Sequence, residues 1–135
     1  MASRGWCWLC FVIIVLNMCI DATPTVVTLM DDNFDEIVKD VSQHVFVKFY
    51  APWCSHCNAI QPEWEKATRA IAAARPDVVL AEMDCEQYKD RAYREEVRSF
   101  PIFRLYSKFG KAGIPYKGDR TGEAMTRFVV NLARG

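Results

Sequence analysis

The sequence predicts an α/β domain in which a central mixed sheet carries helices on both faces. Short β-branched or apolar runs alternate with segments whose apolar residues recur at helical spacing, which indicates strands separated by helices. Helices between strands favour parallel neighbours, whereas the last two strand-like runs are joined by a short turn and predict an antiparallel pair. The predicted element order is βαβαβαββα.

Length and composition limit the chain to one ordinary domain. It has 135 residues, of which 51% are hydrophobic and 25% are charged, a composition that excludes extended disorder. The 17 Lys and Arg residues balance 17 Asp and Glu residues and form no basic block. Because a phosphate backbone needs a concentrated basic face, we expect no nucleic-acid partner.

Residues 1–22 have the pattern of a secretory signal peptide. Arg4 precedes an apolar stretch over residues 6–20, which is followed by the small residue Ala22. Because a membrane span needs about 20 apolar residues, the shorter stretch favours cleavage over a retained anchor. We expect no stable membrane span after cleavage, and a mature domain that covers residues 23–135.

Six cysteines suggest a disulfide scaffold, but their positions argue against one. Three of them would leave with the signal peptide, namely Cys7, Cys10 and Cys19. The mature domain keeps Cys54, Cys57 and Cys85, an odd number that cannot be fully paired. We expect a functional pair and a third cysteine, Cys85, that packs as a small hydrophobic residue.

Three patterns define the first part of the domain. Residues 25–29 are short and β-branched, as in a strand. Capping residues at 31–33 precede a short amphipathic helix with apolar positions Phe34, Ile37, Val38 and Val41. The segment His44–Tyr50 is almost continuously apolar, which is typical of a central strand buried on both faces.

A long amphipathic helix is predicted from Cys54 onward, after a break at residues 51–53. Its apolar stripe consists of Ile60, Trp64, Ala67, Ile71 and Ala74. Pro62 lies inside this helix and predicts a kink. Residues 75–77 end the helix, and the segment Val78–Asp84 is the third strand.

The rest of the chain predicts two helices and two strands. The charged segment 86–97 predicts a helix, and Ile102–Tyr106 is the fourth strand. Gly110 and Gly113 supply turn residues before a short fifth strand over residues 114–116. The closing helix begins near Thr121, and its apolar stripe is Met125, Phe128, Val129 and Leu132.

The sequence Cys54-Ser55-His56-Cys57 lies between the central strand and the first turn of the long helix. Free N–H groups and the dipole at a helix N-terminus stabilise a thiolate there, and a protonated His56 adds to this effect. Stabilising the thiolate weakens the disulfide, so the pair becomes an oxidant. The spacing also lets Cys57 attack a mixed disulfide formed at Cys54.

Three other interpretations of this pair stay open. A zinc site needs four ligands, and only Cys85, His44 and His56 remain to complete one. A structural disulfide with such a tight loop would constrain the unfolded chain weakly. Two inert buried thiols fit poorly with an exposed strand-to-helix turn. The redox interpretation therefore leads, and we expect no metal.

The segment 49–57 (FYAPWCSHC), with Pro62 and the later Phe100-Pro101, resembles the catalytic domain of protein disulfide isomerases in the thioredoxin superfamily. The resemblance extends over about residues 25–132. It implies a thioredoxin fold, residence in the secretory pathway with the endoplasmic reticulum lumen as the expected compartment, and formation or rearrangement of disulfides in cysteine-containing client polypeptides. No bound cofactor is implied, because the Cys54–Cys57 disulfide itself would exchange with glutathione or a partner oxidase.

Roles follow from the resemblance position by position. Cys54 corresponds to an exposed nucleophile, Cys57 to a buried resolving thiol, and His56 to a residue associated with an oxidising pair. Two positions depart from the family, because Ser55 replaces the common Gly and Asn58 replaces a frequent basic residue. These changes bear on the redox potential and on the stability of the Cys54 thiolate.

The resemblance also assigns residues outside the motif. Pro101 corresponds to a cis-proline opposite the active site, and Trp53 and Phe100 join it in lining a shallow apolar client groove. Arg120 corresponds to an arginine that can swing toward the inner cysteine and lower its pKa. The alternative for Arg120 is a surface residue near a helix N-cap.

A reversed charge pair is predicted beneath the site. The family often has a buried acid at the position of Lys48 and a lysine at the position of Glu82. We expect Lys48 and Glu82 to pair on adjacent central strands, with Glu82 accepting the Cys57 proton during resolution. The alternative is that the two side chains face solvent separately.

Two other functions stay open. A chaperone-like thioredoxin domain would bind peptides while its cysteines are incidental, and a reductase would be recycled by a partner enzyme. The chain ends with residues 131–135 (NLARG) rather than a Lys-Asp-Glu-Leu type signal, so secretion is an expectation beside retention.

Overall fold

The computed structural model describes residues 23–110 and 112–134. The predicted signal peptide, with Cys7, Cys10 and Cys19, lies outside these residues. Strands and helices of the described part follow the predicted order: β1 (Val26–Leu29), α1 (Phe34–Val38), β2 (His44–Tyr50), α2 (Ser55–Ala74), β3 (Val78–Asp84), α3 (Lys89–Arg94), β4 (Ile102–Tyr106), β5 (Ile114–Pro115) and α4 (Gly122–Ala133). None of these helices is long and apolar enough to cross a membrane.

The strands form a mixed sheet in the order β1-β3-β2-β4-β5. β1 and β2 are both parallel to β3, and β4 and β5 form the predicted antiparallel pair. β4 also runs antiparallel to β2, although a helix precedes it. This differs from the expectation of parallel neighbours, because the six residues of α3 extend only about 9 Å and do not return the chain to the opposite end of the sheet.

Different helix pairs cover the two faces of the sheet, as predicted. α2 and α4 cover one face, whose buried residues include Phe46, Trp64, Leu80, Phe103, Met125 and Val129. α1 and α3 cover the other face, whose buried residues include Phe34, Val47, Phe49, Met83 and Ala92. Residues His44–Phe49 of β2 are all buried between these layers, which confirms the predicted central strand.

The first helix is shorter than its apolar pattern suggests. α1 ends at Val38, and Val41 is 72% exposed rather than packed in the stripe. Asp40 Oδ1 accepts a hydrogen bond from the Ser42 N–H at 2.8 Å, which turns the chain toward β2 before another helical turn can form.

The helix predicted over residues 86–97 is confined to Lys89–Arg94. Asp84 Oδ1 accepts hydrogen bonds from the N–H groups of Glu86 and Gln87 at 2.9 and 3.1 Å, so a side-chain-stabilised turn precedes the helix. At the other end Glu96 adopts a positive φ of 54°, which no α-helix continues.

The two long helices form where the sequence predicts them. α2 runs without interruption from Ser55 to Ala74 and includes Pro62. α4 begins after Thr121, whose side-chain oxygen accepts a hydrogen bond from the Ala124 N–H at 3.2 Å. The buried apolar stripe of each helix ends earlier than predicted, because Ala74 is exposed and Leu132 retains 38% of its accessible surface.

Candidate active site

The Cys54–Cys57 pair lies at the point where β2 leads into α2. Cys54 has extended backbone angles and is the N-cap residue of α2. Its Sγ accepts a hydrogen bond from the Cys57 N–H at 3.2 Å, and its carbonyl accepts one from the Asn58 N–H at 3.2 Å. One N–H group of the first helical turn, that of Cys57, therefore points at the Cys54 sulfur, and a helix N-terminus is a position that favours a thiolate.

Both cysteines are free thiols, and both are largely buried. Cys54 retains 6% of its accessible surface and Cys57 retains 5%. The prediction that Cys54 is exposed is therefore wrong with respect to its solvent-accessible area. The cause is the packing of Tyr50 and Phe100 against the pair. Cys54 nevertheless lines an open groove, as described below.

The pKa of the Cys57 thiol is raised to about 11, mainly because burial disfavours its charged form. Its hydrogen-bonding contact with Cys54 raises the pKa further, whereas a hydrogen bond with the Ala51 backbone and the positive charge of Lys48 lower it. Cys57 is therefore a thiol at neutral pH, and it must lose a proton before it can attack a disulfide.

Lys48 and Glu82 form the ion pair that the sequence predicts. They are register partners on β2 and β3, and Lys48 Nζ lies 2.8 Å from Glu82 Oε2. The Lys48 side chain is 5% exposed and that of Glu82 is 29% exposed. Lys48 therefore does not face solvent, which excludes the alternative of two separately hydrated side chains.

The ammonium group of Lys48 contacts the helix one turn after the inner thiol. Its Nζ donates to Gln61 Oε1 at 2.9 Å, and Gln61 follows Cys57 by four residues on the same face of α2. The Tyr50 and Trp64 rings lie 5.0 and 5.3 Å from Nζ. Of the two partners, Lys48 is the one whose charge lowers the pKa of Cys57.

An open groove borders Cys54. Trp53 is 67% exposed, its ring packs edge-on against Phe100 at a centroid distance of 5.9 Å, and its Nε1 donates to Glu86 Oε2 at 3.1 Å. The Phe100-Pro101 peptide bond is cis, as the resemblance implies, and Pro101 itself is buried. The groove measures about 340 Å³ and is lined by Trp53, Cys54, Ser55, His56, Arg98, Ser99 and Phe100.

The family model for thioredoxin matches residues 25–131, which include the whole sheet and the motif at Cys54. The chain belongs to the thioredoxin family. This membership agrees with the mixed sheet, the helices on both faces and the position of the cysteine pair.

The curated relatives include proteins named as protein disulfide isomerases. This thioredoxin chain is 38% identical over 114 residues to a probable protein disulfide-isomerase A6 of Medicago sativa, covering 84% of this chain and 31% of that protein. It is 42% identical over 99 residues to protein disulfide-isomerase A4 of Bos taurus, covering 72% and 15%. The chain thus spans less than a third of the length of these relatives.

Solved structures of other proteins share the fold of this chain. The J-Trx1 fragment of ERdj5 superimposes with a TM-score of 0.75 at 26% identity, covering 84% of this chain and 54% of that one. The first thioredoxin domain of mouse protein disulfide-isomerase A4 gives a TM-score of 0.68 at 31% identity, covering 78% and 74%.

Arg98 is the residue of this thioredoxin site that the sequence reasoning did not identify. It lies in the loop between α3 and β4, is exposed, and lines the groove with Cys54. Its position two residues before Phe100-Pro101 was an available signal, because the cis-proline loop faces the motif.

The remaining residues that the sequence analysis considered, Arg120 and Cys85, do not line the groove. Arg120 is exposed and directly precedes Thr121, the N-cap residue of α4, and no hydrogen bond joins it to Cys57. Cys85 is 3% exposed, and burial raises its pKa to about 12, in agreement with the predicted core packing. In the two described ranges no cluster of three or more His, Cys, Asp or Glu residues could hold a metal ion.

Proposed function

We propose that this thioredoxin domain is a thiol-disulfide oxidoreductase and isomerase that forms and rearranges disulfides in cysteine-containing client polypeptides. The observation that carries the proposal is the Cys54 sulfur at the N-terminus of α2, hydrogen-bonded by the Cys57 N–H and open to the groove. The relatives named as protein disulfide isomerases support it.

Cys54 acts first. Its thiolate attacks one sulfur of a client disulfide, a Cys54–client S–S bond forms, and the other client sulfur leaves as a thiolate. Trp53 and Phe100 provide an apolar surface beside the reacting sulfur. If the released client thiolate then attacks the mixed disulfide or another client disulfide, the client is rearranged without net oxidation.

Cys57 resolves the mixed disulfide. After losing its proton it attacks the Cys54 sulfur, a Cys54–Cys57 bond forms, and the client leaves as a thiolate, so the client is reduced and the domain is oxidised. We assign Glu82 as the final acceptor of this proton: Lys48 Nζ, 2.8 Å from Glu82 Oε2, gives one of its protons to the carboxylate and takes up the proton that Cys57 loses, which leaves Lys48 charged and Glu82 neutral. Lys48 also lowers the pKa of Cys57 by its charge.

Client oxidation runs the same steps in reverse. The Cys54–Cys57 disulfide takes two electrons from a client dithiol and must then be regenerated. Glutathione disulfide or a partner oxidase would accept these electrons, and no bound cofactor is required.

A refolding assay tests the proposed function. Wild-type protein should restore activity to a client with scrambled disulfides in a glutathione buffer, whereas Cys54→Ser should abolish this. Cys57→Ser should accumulate mixed disulfides. Cys85→Ser is the matched control, because Cys85 is buried away from the groove, and it should retain the wild-type rate.

A second candidate is peptide binding without redox chemistry. The observation that favours it is the exposed aromatic surface of Trp53 against Phe100. The same assay separates the two, because recovery that persists in Cys54→Ser would favour binding over catalysis.

The proposed compartment is the secretory pathway, specifically the endoplasmic reticulum lumen, with secretion as the alternative. The disulfide chemistry proposed for the Cys54–Cys57 pair supports this placement, because disulfides persist in oxidising compartments such as the endoplasmic reticulum lumen. A glutathione redox titration of the Cys54–Cys57 pair tests whether the pair suits an oxidising compartment. A strongly reducing potential would overturn the oxidant role and favour a reductase recycled by a partner.

A further inference from the structure

We propose that Arg98 makes the active-site groove selective for client cysteines that have a carboxylate side chain within two residues along the client chain. This inference rests on the proposed function, since it concerns the substrates of the same cysteine pair. It names a substrate class that the apolar surface of Trp53 and Phe100 does not by itself select.

The first argument is position. Arg98 and Cys54 line one groove of about 340 Å³, although they are far apart in sequence. Arg98 reaches the groove because Phe100, two residues further along the same loop, packs against the Trp53 ring at a centroid distance of 5.9 Å. A client whose sulfur is bonded to Cys54 must therefore place its neighbouring residues beside the guanidinium group.

The second argument is availability. Within residues 23–110 and 112–134, Arg98 makes no ion pair and no side-chain hydrogen bond. Among the other arginines of this part of the chain, Arg91 and Arg94 bind Asp31 and Arg75 binds Asp77, whereas Arg69, Arg120 and Arg127, like Arg98, make no ion pair but do not line the groove. The guanidinium of Arg98 therefore faces the groove without an internal carboxylate to compete with a client.

The third argument is the charge of the groove. Glu86, the acid that holds Trp53, is already paired with Lys89 Nζ at 2.7 Å and accepts the Trp53 Nε1 hydrogen bond. Its charge is thus offset by Lys89, and Glu86 does not line the groove. The other residues that line the groove are Ser, His, aromatic or Cys residues, so Arg98 is the lining residue that carries a permanent positive charge.

The client backbone has a place to lie beside these residues. Ser99 and Phe100 precede the paired residues of β4, which begin at Ile102. An extended client segment along Ser99 and Phe100 would keep its side chains within reach of Arg98. A carboxylate there can accept two parallel hydrogen bonds from the planar guanidinium group.

Paired disulfide peptides test the proposal. In each pair a glutamate at one position from −2 to +2 around the cysteine is replaced by glutamine, and kcat/KM is measured for reduction by the dithiol form. For at least one position, the wild-type protein should prefer the acidic peptide by about threefold, the size of one solvent-exposed ion pair. Near 1 M salt the ratio should approach one, because the Debye length is then about 3 Å.

Variants assign the preference to one residue. Arg98→Gln should reduce the acidic-to-neutral ratio to about one, and Arg98→Glu should invert it. Arg69→Gln removes the same charge from an exposed arginine of α2 outside the groove and should keep the wild-type ratio. Three results would overturn the proposal. The acidic-to-neutral ratio could stay unchanged in Arg98→Gln, or it could fall equally in Arg69→Gln. Alternatively, Arg98→Gln could slow the reduction of oxidised glutathione while its ratio for the peptide pairs stays unchanged.

A capture experiment separates this inference from the proposed function. In Cys57→Ser, equimolar acidic and neutral peptide disulfides compete for Cys54, and the mixed disulfides are counted by mass spectrometry. Preferential capture of the acidic peptide supports selection by Arg98 even if refolding activity is absent. Equal capture overturns the selection even if refolding activity is present.

Discussion

Lys48 is a buried residue at which this chain departs from the pattern that the resemblance implies. A buried lysine on β2 and a partly exposed glutamate on β3 exchange the signs that the family often has at these positions. Charge reversal preserves the attraction between the strands, and it places the cation rather than the acid near Cys57. The inner thiol therefore loses its proton in a positive field.

Replacing Lys48 with methionine should slow the resolution step. The variant removes the charge that lowers the Cys57 pKa, so that pKa rises above its wild-type value of about 11. At neutral pH, release of a chromophoric thiol from a mixed disulfide at Cys54 should be roughly tenfold slower, corresponding to about 1.4 kcal/mol. The rate profile should move to higher pH.

Stopped-flow measurements between pH 6 and 10 follow this release. Lys117→Met is the matched control, because Lys117 is exposed and lies in the segment before α4. An identical profile for Lys48→Met and wild type would contradict the electrostatic role of Lys48.

Replacing Glu82 with glutamine should also slow resolution if Glu82 accepts the Cys57 proton. The amide keeps a carbonyl oxygen that can bond Lys48 Nζ, so the packing beneath the site is retained. Pure electrostatics predicts the opposite result, because removal of the anion leaves Lys48 uncompensated and favours the Cys57 thiolate. A rate equal to or above that of wild type across pH would thus disprove the acceptor role.

At the scale of single elements, β2 carries a buried titratable group at the end opposite the active site. His44 has no accessible surface, neither ring nitrogen has a hydrogen-bond partner among the described residues, and the ring packs edge-on against Phe109. The pKa of His44 is lowered, chiefly because burial disfavours the charged ring and further because of Lys108. Asp77 opposes this effect in part.

The stability of the fold should therefore decrease as the pH falls below about 6.5, the ordinary histidine value. The unfolded chain takes up a proton on His44 in this range while the folded chain resists it, so the stabilisation present above that value is lost as the pH falls through the folded pKa. Urea unfolding between pH 7.5 and 5.5 measures the loss.

His44→Leu should show a smaller decrease over that range. His56→Gln is the control, because it removes the exposed histidine of the chain, and it should keep the wild-type dependence. If His44→Leu and wild type lost equal stability between these pH values, His44 would not be the group responsible.

The predicted helices and strands agree with the structure where the periodic pattern is long. The predicted ends of the short helices are wrong, because side-chain hydrogen bonds determine where these helices begin and end. The stripe of α2 and the continuous apolar run of β2 are set by burial against a sheet face, so their patterns persist in sequence. The C-terminal end of α1 and the start of α3 depend on hydrogen bonds that Asp40 and Asp84 accept from nearby N–H groups. Apolar periodicity does not report such bonds.

At the scale of the whole molecule, the chain length that remains after residue 22 is enough for the entire sheet and both helix layers. We predict that residues 1–22 are removed on entry into the secretory pathway. Intact-mass analysis of protein expressed in a secretory host should show a chain that begins at Thr23. Val15→Arg interrupts the apolar stretch and should block the removal, whereas Ala2→Arg adds to the basic end and should not.

Retention of residues 1–22 in the wild-type product would contradict this prediction. The described fold begins at residue 23, and β1 begins at Val26, so the removal leaves every described contact in place.

The sequence by itself determined the order of strands and helices, the central position of β2 and the cysteine pair at a strand-to-helix junction. These features depend on patterns within short segments, where burial and capping act on neighbouring residues. Only the tertiary structure decided the direction of β4 beside β2, the burial of Cys54 beneath Phe100, and the entry of Arg98 into the groove. The physical reason is that these contacts join segments that are distant in sequence, and their geometry is set by strand register and by the short connection through α3.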